Sequence, residues 1–132
     1  MADNSAQVRI VETTDAPAAI GPYSQAVVVH GLVFTAGQIP LDPTTKAIAG
    51  DDIASQTKQV MRNLEAVLEA GGSSLSRVVK TTCFLANLDD FPIFNEVYGR
   101  SFSESPPARS TVQVAKLPMG VLVEVECVAL SF

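Results

Sequence analysis

Residues 121–130 read VLVEVECVAL. Successive residues of an extended strand point to opposite faces, so this run divides into two sets. Val121, Val123, Val125, Cys127 and Ala129 form a wholly apolar face. Leu122, Glu124, Glu126, Val128 and Leu130 form the other, apolar at both ends with two carboxylates in the middle. A strand apolar on both faces belongs inside a sheet, with its second face covered by further structure or by another subunit. Two glutamates on such a face are costly unless they are paired, hydrogen-bonded or used in chemistry. Burial there would raise a glutamate pKa toward the range useful for proton transfer. The alternative is a solvated face, or glutamates paired with Lys or Arg across the sheet.

The rest of the chain supplies partners for this strand. Gln7–Val11 can form a short strand. Gln25–His30 and Leu32–Ala36 flank Gly31 as a tight hairpin, which puts the single histidine, His30, on the surface at a turn. Pro40–Gly50 reads as a loop. Asp51 or Asp52 can cap a helix running to about Ala70, in which Val60, Met61, Leu64, Val67 and Leu68 share one face and Gly71-Gly72 ends the run. Val78–Leu85, rich in β-branched residues, reads as a strand. Asp89 or Asp90 can cap a second helix, with Pro92 in its first turn and an apolar side of Phe91, Phe94, Val97, Tyr98 and Phe102. Ser105-Pro106-Pro107 ends it, and Thr111–Val114 is the strand before the last. Two helices among about six strands give an α+β fold, one sheet with both helices on one face.

Composition narrows the function classes. A length of 132 residues fits one domain, 1–132, with residues 1–6 expected to be a flexible N-terminus. Only 17% of residues are charged while 47% are hydrophobic, which favours burial of apolar surface between subunits. The net charge is -5 and the nine basic residues are scattered, so a nucleic-acid partner is not expected. One histidine makes a histidine metal site or a Ser-His-Asp triad improbable. Cys83 and Cys127 sit in apolar runs and read as buried free thiols. The first residues have no apolar leader core, and no run nears the 18 apolar residues of a membrane span. A cytoplasmic protein is expected, with an organelle as the other option.

SPPARSTVQV places Arg109 after a proline-rich turn, at the mouth of a strand. A guanidinium anchored there can grip a carboxylate with two parallel hydrogen bonds. Taken alone, Arg109 reads equally well as an ion-pair partner. Its neighbours add to this. AAIGPYSQAVVV, FTAGQIP, NLEAVLEAGG, VVKTTCFLANLDDF, FNEVYGRSF, PPARSTVQVAKLP and VEVECVA follow one another in that order. This ordered set, from about Ala16 to Leu130, closely resembles the reactive intermediate deaminase family, the RidA or YjgF group.

The resemblance implies a mixed sheet with two helices on one side, similar to chorismate mutase, assembled as a homotrimer with sites in clefts between subunits. It implies hydrolysis of enamine or imine acids, as by a 2-iminobutanoate/2-iminopropanoate deaminase, without cofactor or metal. The partners implied are a small carboxylate substrate and further copies of the chain. Residue by residue, Arg109 matches the arginine that binds the substrate carboxylate and Glu124 the acid that positions or activates water. Tyr23 matches a tyrosine lining the site from a neighbouring subunit, Asn95 an asparagine of the site, and Gly37 a segment whose backbone approaches the ligand. Phe91 would supply an apolar wall. Ala36 stands at the pocket edge where many members have Ser, and Thr111 follows PARS where several have Cys. The other reading is a non-catalytic module of the same fold that binds small carboxylates, or serves a regulatory or chaperone-like role.

Overall fold

The computed structural model describes residues 7–132; the flexible segment expected at 1–6 lies outside the described residues. In chain order the elements are β1 (Arg9–Val11), β2 (Ala26–Val29), β3 (Leu32–Thr35), α1 (Ile53–Ala70), β4 (Val78–Leu85), α2 (Phe91–Gly99), β5 (Ala108–Gln113) and β6 (Val123–Leu130). They form one six-stranded sheet in the order β1-β2-β3-β6-β4-β5. Every pairing is antiparallel except β4 with β5, which α2 joins as a parallel crossover, so the sheet is mixed. The last strand in sequence lies inside the sheet, as its doubly apolar pattern requires.

Local chemistry explains the element ends. At the β2–β3 hairpin, His30 and Gly31 both take positive φ, 52° and 73°, as a two-residue type I′ turn demands. The Asp52 carboxylate caps α1 by accepting from the Ser55 N–H at 2.7 Å. At the other end Gly72, at φ 78°, donates to Glu69 O and Ser73 donates to Leu68 O, a Schellman closure.

Several element ends differ from the sequence reading, those of β1, β2, β3 and β6 by one or two residues. β5 starts at Ala108 rather than Thr111, because pairing with Lys80–Leu85 of β4 draws Ala108, Arg109 and Ser110 into the ladder. α2 ends at Gly99, not Phe102, although Phe102 still packs on Tyr98 with ring centres 4.9 Å apart. Neither aspartate caps α2 with its side chain; Asn87 accepts from the Asp89 N–H and opens a short 3₁₀ turn ahead of the helix.

Both helices lie on one face of the sheet. Val33, Val123, Val125, Ala129, Leu64, Phe94 and Leu85 are all buried there. The expected α1 face, Val60, Met61, Leu64, Val67 and Leu68, is buried throughout. The opposite face carries no helix. A cross-sheet row of Ile10, Val27, Phe34 and Val128 runs over it, with Ile10 and Phe34 exposed. Among the described residues, no helix is long and apolar enough to cross a membrane.

Candidate active site

Arg109 lies on β5 beside Thr81 of β4, on the helix-covered face. α2 crosses over it and supplies three rings. The guanidinium carbon stands 4.9 Å from the centre of Tyr98, 5.2 Å from Phe91 and 5.8 Å from Phe94. Rings at this range hold a flat cation by its face and leave its N–H edge free. Arg109 is half-buried, yet among the described residues no carboxylate reaches it. Asn95 is four residues after Phe91 and three before Tyr98, so it shares their side of α2. Its Oδ1 is buried and unpartnered, and so is Thr111 Oγ1, two residues beyond Arg109 on the same strand face. Thr111 therefore presents a hydroxyl next to Cys83 in the ladder. Arg109, Phe91 and Asn95 thus come together as one group.

Glu124 belongs to a second group. It alternates with the buried Val123 and Val125 and so faces away from the helices. Arg109 and Glu124 therefore sit on opposite faces of one sheet and cannot grip the same small molecule within one chain. Beside Glu124 runs the segment after β3. Gln38 and Val125 exchange both backbone hydrogen bonds, at 2.8 and 3.1 Å, which lays Gly37 against the glutamate. A Cβ on Gly37 would fall on the Glu124 carboxylate, 2.7 Å from its Cδ, so any larger residue would have to push that carboxylate aside. Asn63, buried in α1, donates to Ile39 O and Leu41 O and fixes the same segment from below.

Burial pushes the Glu124 carboxyl above its ordinary value, and the Glu126 charge two residues on pushes the same way. Among the described residues neither glutamate has an ion-pair partner, since the ion pair found is the exposed Arg100–Glu96 contact. Pairing with Lys or Arg across the sheet is thus not what holds these carboxylates. Among the described residues no three His, Cys, Asp or Glu side chains cluster closely enough to hold a metal ion.

Ala36 is next to Gly37 and donates its N–H to Gln25 O at 2.8 Å, so it belongs to the Glu124 group. Tyr23 is 53% exposed, and its phenol oxygen accepts from the Ile20 N–H. It lines an open cleft of about 670 Å³ with Glu12, Thr13 and Gln25, and neither Arg109 nor Glu124 is part of that cleft. Gln25 fixes the loop leading to it, pairing with both Thr13 backbone groups and with Pro17 O.

Four residues contribute without a functional signal in the sequence. Phe94 and Tyr98 were recognised only as the apolar side of α2, although with Phe91 they form the seat of Arg109. Their spacing of three and four residues put them on one stripe; what was missing was the strand beneath. Asn63 and Gln25, buried polar residues that pin the site loops, carried no separate signal.

Residues 13–131 match the family model described as Endoribonuclease L-PSP. Over 124 residues the chain is 51% identical to the RutC family protein slr0709 of Synechocystis, covering 92% of this chain and 95% of that protein. Over 123 residues it is 43% identical to human 2-iminobutanoate/2-iminopropanoate deaminase, covering 93% and 90%. The crystal structure of Escherichia coli TdcF with bound serine superposes with a TM-score of 0.89 at 42% identity, covering 94% of this chain and 99% of that one.

Proposed function

The chain belongs to the Endoribonuclease L-PSP family, which includes the RutC and reactive intermediate deaminase proteins, and from that premise we propose that it is a 2-iminobutanoate/2-iminopropanoate deaminase. The observation that carries this reading is Arg109, half-buried over three rings and, among the described residues, without a carboxylate partner. A cation so placed waits for an anion from outside the chain. A small 2-imino acid supplies one carboxylate for the guanidinium and an electrophilic carbon beside it. The relatives named as a deaminase and as a serine-bound structure fit a small amino-acid-like ligand. Fourteen acidic residues against nine basic ones suit such a ligand better than a polyanion.

In the mechanism, the enamine tautomerises to an imine, whose protonated form carries an electrophilic C2. Arg109 fixes the carboxylate and so the position of C2. A water attacks C2 while Glu124 takes one of its protons, a contribution of roughly 10²–10⁴-fold for a general base. The carbinolamine so formed has one hydroxyl and one amine on C2. Glu124 returns the proton to the amine, the C–N bond breaks, and ammonia leaves. The hydroxyl oxygen closes the C=O bond as its proton departs, giving a 2-keto acid. The raised pKa of Glu124 suits a group that must both take and give a proton.

Because the two groups lie on opposite faces of one sheet, the working site in this proposal is shared. Arg109, with Phe91 and Asn95, comes from one subunit, while Glu124, with Gly37, Ala36 and Tyr23, comes from a neighbour in a homotrimer. The apolar row on the helix-free face, Ile10, Val27, Phe34 and Val128, supports burial between copies. The test is a coupled assay in which a threonine dehydratase generates 2-iminobutanoate. The expected result is faster loss of the imine when this protein is added. An unchanged rate with a confirmed trimer favours the non-catalytic carboxylate-binding module.

A further inference from the structure

Beneath Arg109 a pair of hydroxyls does something that apolar packing would not require. Thr81 Oγ1 and Tyr98 Oη are 2.7 Å apart, and both residues are buried, at 0% and 5% exposure. Thr81 is the residue of β4 that lies beside Arg109 in the parallel ladder. Tyr98 is the ring nearest the guanidinium, 4.9 Å away. The bond therefore ties α2 to the sheet at the level of the arginine. A Phe and a Val in these places would fill similar space, and replacing both partners of a buried hydrogen bond by apolar groups of like shape is often nearly neutral for stability. What the hydroxyls add is direction. Phe94 and Phe102 flank the Tyr98 ring, at 5.4 and 4.9 Å, and limit its sideways movement. The bond to Thr81 sets how far the ring reaches toward the strand. The Cys83 thiol also donates toward Thr81 Oγ1, at 3.9 Å, which steadies that hydroxyl.

We propose that Thr81 and Tyr98 are a positioning pair for Arg109: their hydrogen bond sets the depth and tilt of the ring on which the guanidinium rests, and so aims its N–H edge at an incoming carboxylate. The proposal rests on the reading of Arg109 as a carboxylate clamp. Neither residue touches the substrate. Loss of the pair loosens the clamp without removing it, so the effect falls on binding and KM more than on kcat.

The experiment measures binding of 2-oxobutanoate, a small 2-keto monocarboxylate, by calorimetry on the full chain, alongside imine turnover. Tyr98→Phe and Thr81→Val should each weaken binding and raise KM about tenfold, with kcat within about twofold of wild type. Thr81→Ser keeps the hydroxyl and should restore both values. If Tyr98→Phe does not fold, Thr81→Val and Thr81→Ser decide the matter alone. Wild-type affinity in Tyr98→Phe and Thr81→Val overturns the proposal. So does a Thr81→Ser as weak as Thr81→Val, which would mark mere packing, and so does a wild-type chain that binds no 2-oxobutanoate. A wild-type chain that binds 2-oxobutanoate without hydrolysing imines overturns the deaminase reading and leaves the positioning pair to stand or fall on the binding series.

Discussion

The two faces of the sheet hold their functional charges by opposite means. On the helix-covered face, Arg109 rests on Phe91, Phe94 and Tyr98, and rings do what an acid partner would otherwise do. An acid partner would satisfy the cation and close it to substrate; rings steady it and leave its hydrogen-bonding edge open. On the bare face, the Glu124 carboxylate lies in the space that the absent side chain of Gly37 leaves. Burial raises its pKa, and the charge of a second acid, Glu126, adds to that. One group is thus a guanidinium seated on rings, and the other a carboxyl whose ionised form burial disfavours. Within a chain they are separated by the sheet.

Breaking the anchor should have the largest effect. Arg109→Ala is expected to remove imine hydrolysis in the coupled assay while light scattering still finds the assembled protein. Retained activity would remove Arg109 from the mechanism. Breaking the proton carrier should rank next. Glu124→Gln is expected to lower kcat by roughly 10²–10⁴-fold, with affinity for 2-oxobutanoate little changed. The same variant separates function from stability. A carboxyl whose folded-state pKa is raised favours the folded state below its ordinary value near 4.5, and that contribution is lost as pH rises through the folded-state pKa. Glu124→Gln should therefore unfold at neutral pH no sooner than wild type, and a clear drop in Tm would contradict this account of its burial.

Gly37→Ala tests the same face from the other side. The new methyl must displace Glu124, and overpacking of this kind is typically about 1–3 kcal/mol destabilising. The expected result is a fall in kcat with little change in KM, read from steady-state kinetics. A smaller effect belongs to Glu126→Gln. Removing its charge eases ionisation of Glu124, so the acid limb of the pH–rate profile should move to lower pH. A limb that stays in place would mean that Glu124 is not the group titrating. The smallest effect concerns thiols on the covered face. Burial pushes Cys83 up to about 11 and Cys127 up to about 12, so neither carries thiolate at mildly alkaline pH. Iodoacetamide should leave the native protein unlabelled and active, and label both cysteines after unfolding.

Much of this was legible in the chain because periodicity reports faces. The alternation of Val123, Glu124, Val125 and Glu126 puts the glutamates on one face and the apolar residues on the other without reference to any partner strand. The spacing of Val60, Met61, Leu64, Val67 and Leu68 does the same for α1. Arg109 is harder. Ala108-Arg109-Ser110 follows two prolines and has little strand propensity of its own, so the sequence puts it at the mouth of a strand that begins at Thr111; pairing with β4 draws it into the strand and turns the arginine toward α2. No local pattern could set Arg109 and Glu124 on opposite faces, because that relation depends on register across β4. The fit of Gly37 against Glu124 was hidden for the same reason, as it arises from a single backbone exchange between Gln38 and Val125.

The central claim, a site completed by Arg109 of one chain and Glu124 of another, is tested most directly by complementation. Arg109→Ala and Glu124→Gln proteins, each inactive alone, are mixed, dissociated and reassembled. In random trimers about a quarter of shared sites receive an intact arginine from one chain and an intact glutamate from its neighbour. The account predicts recovery of imine hydrolysis to about that fraction of the wild-type rate. A reassembled mixture that stays as inactive as its parents, while reassembled wild type regains full activity, would contradict it.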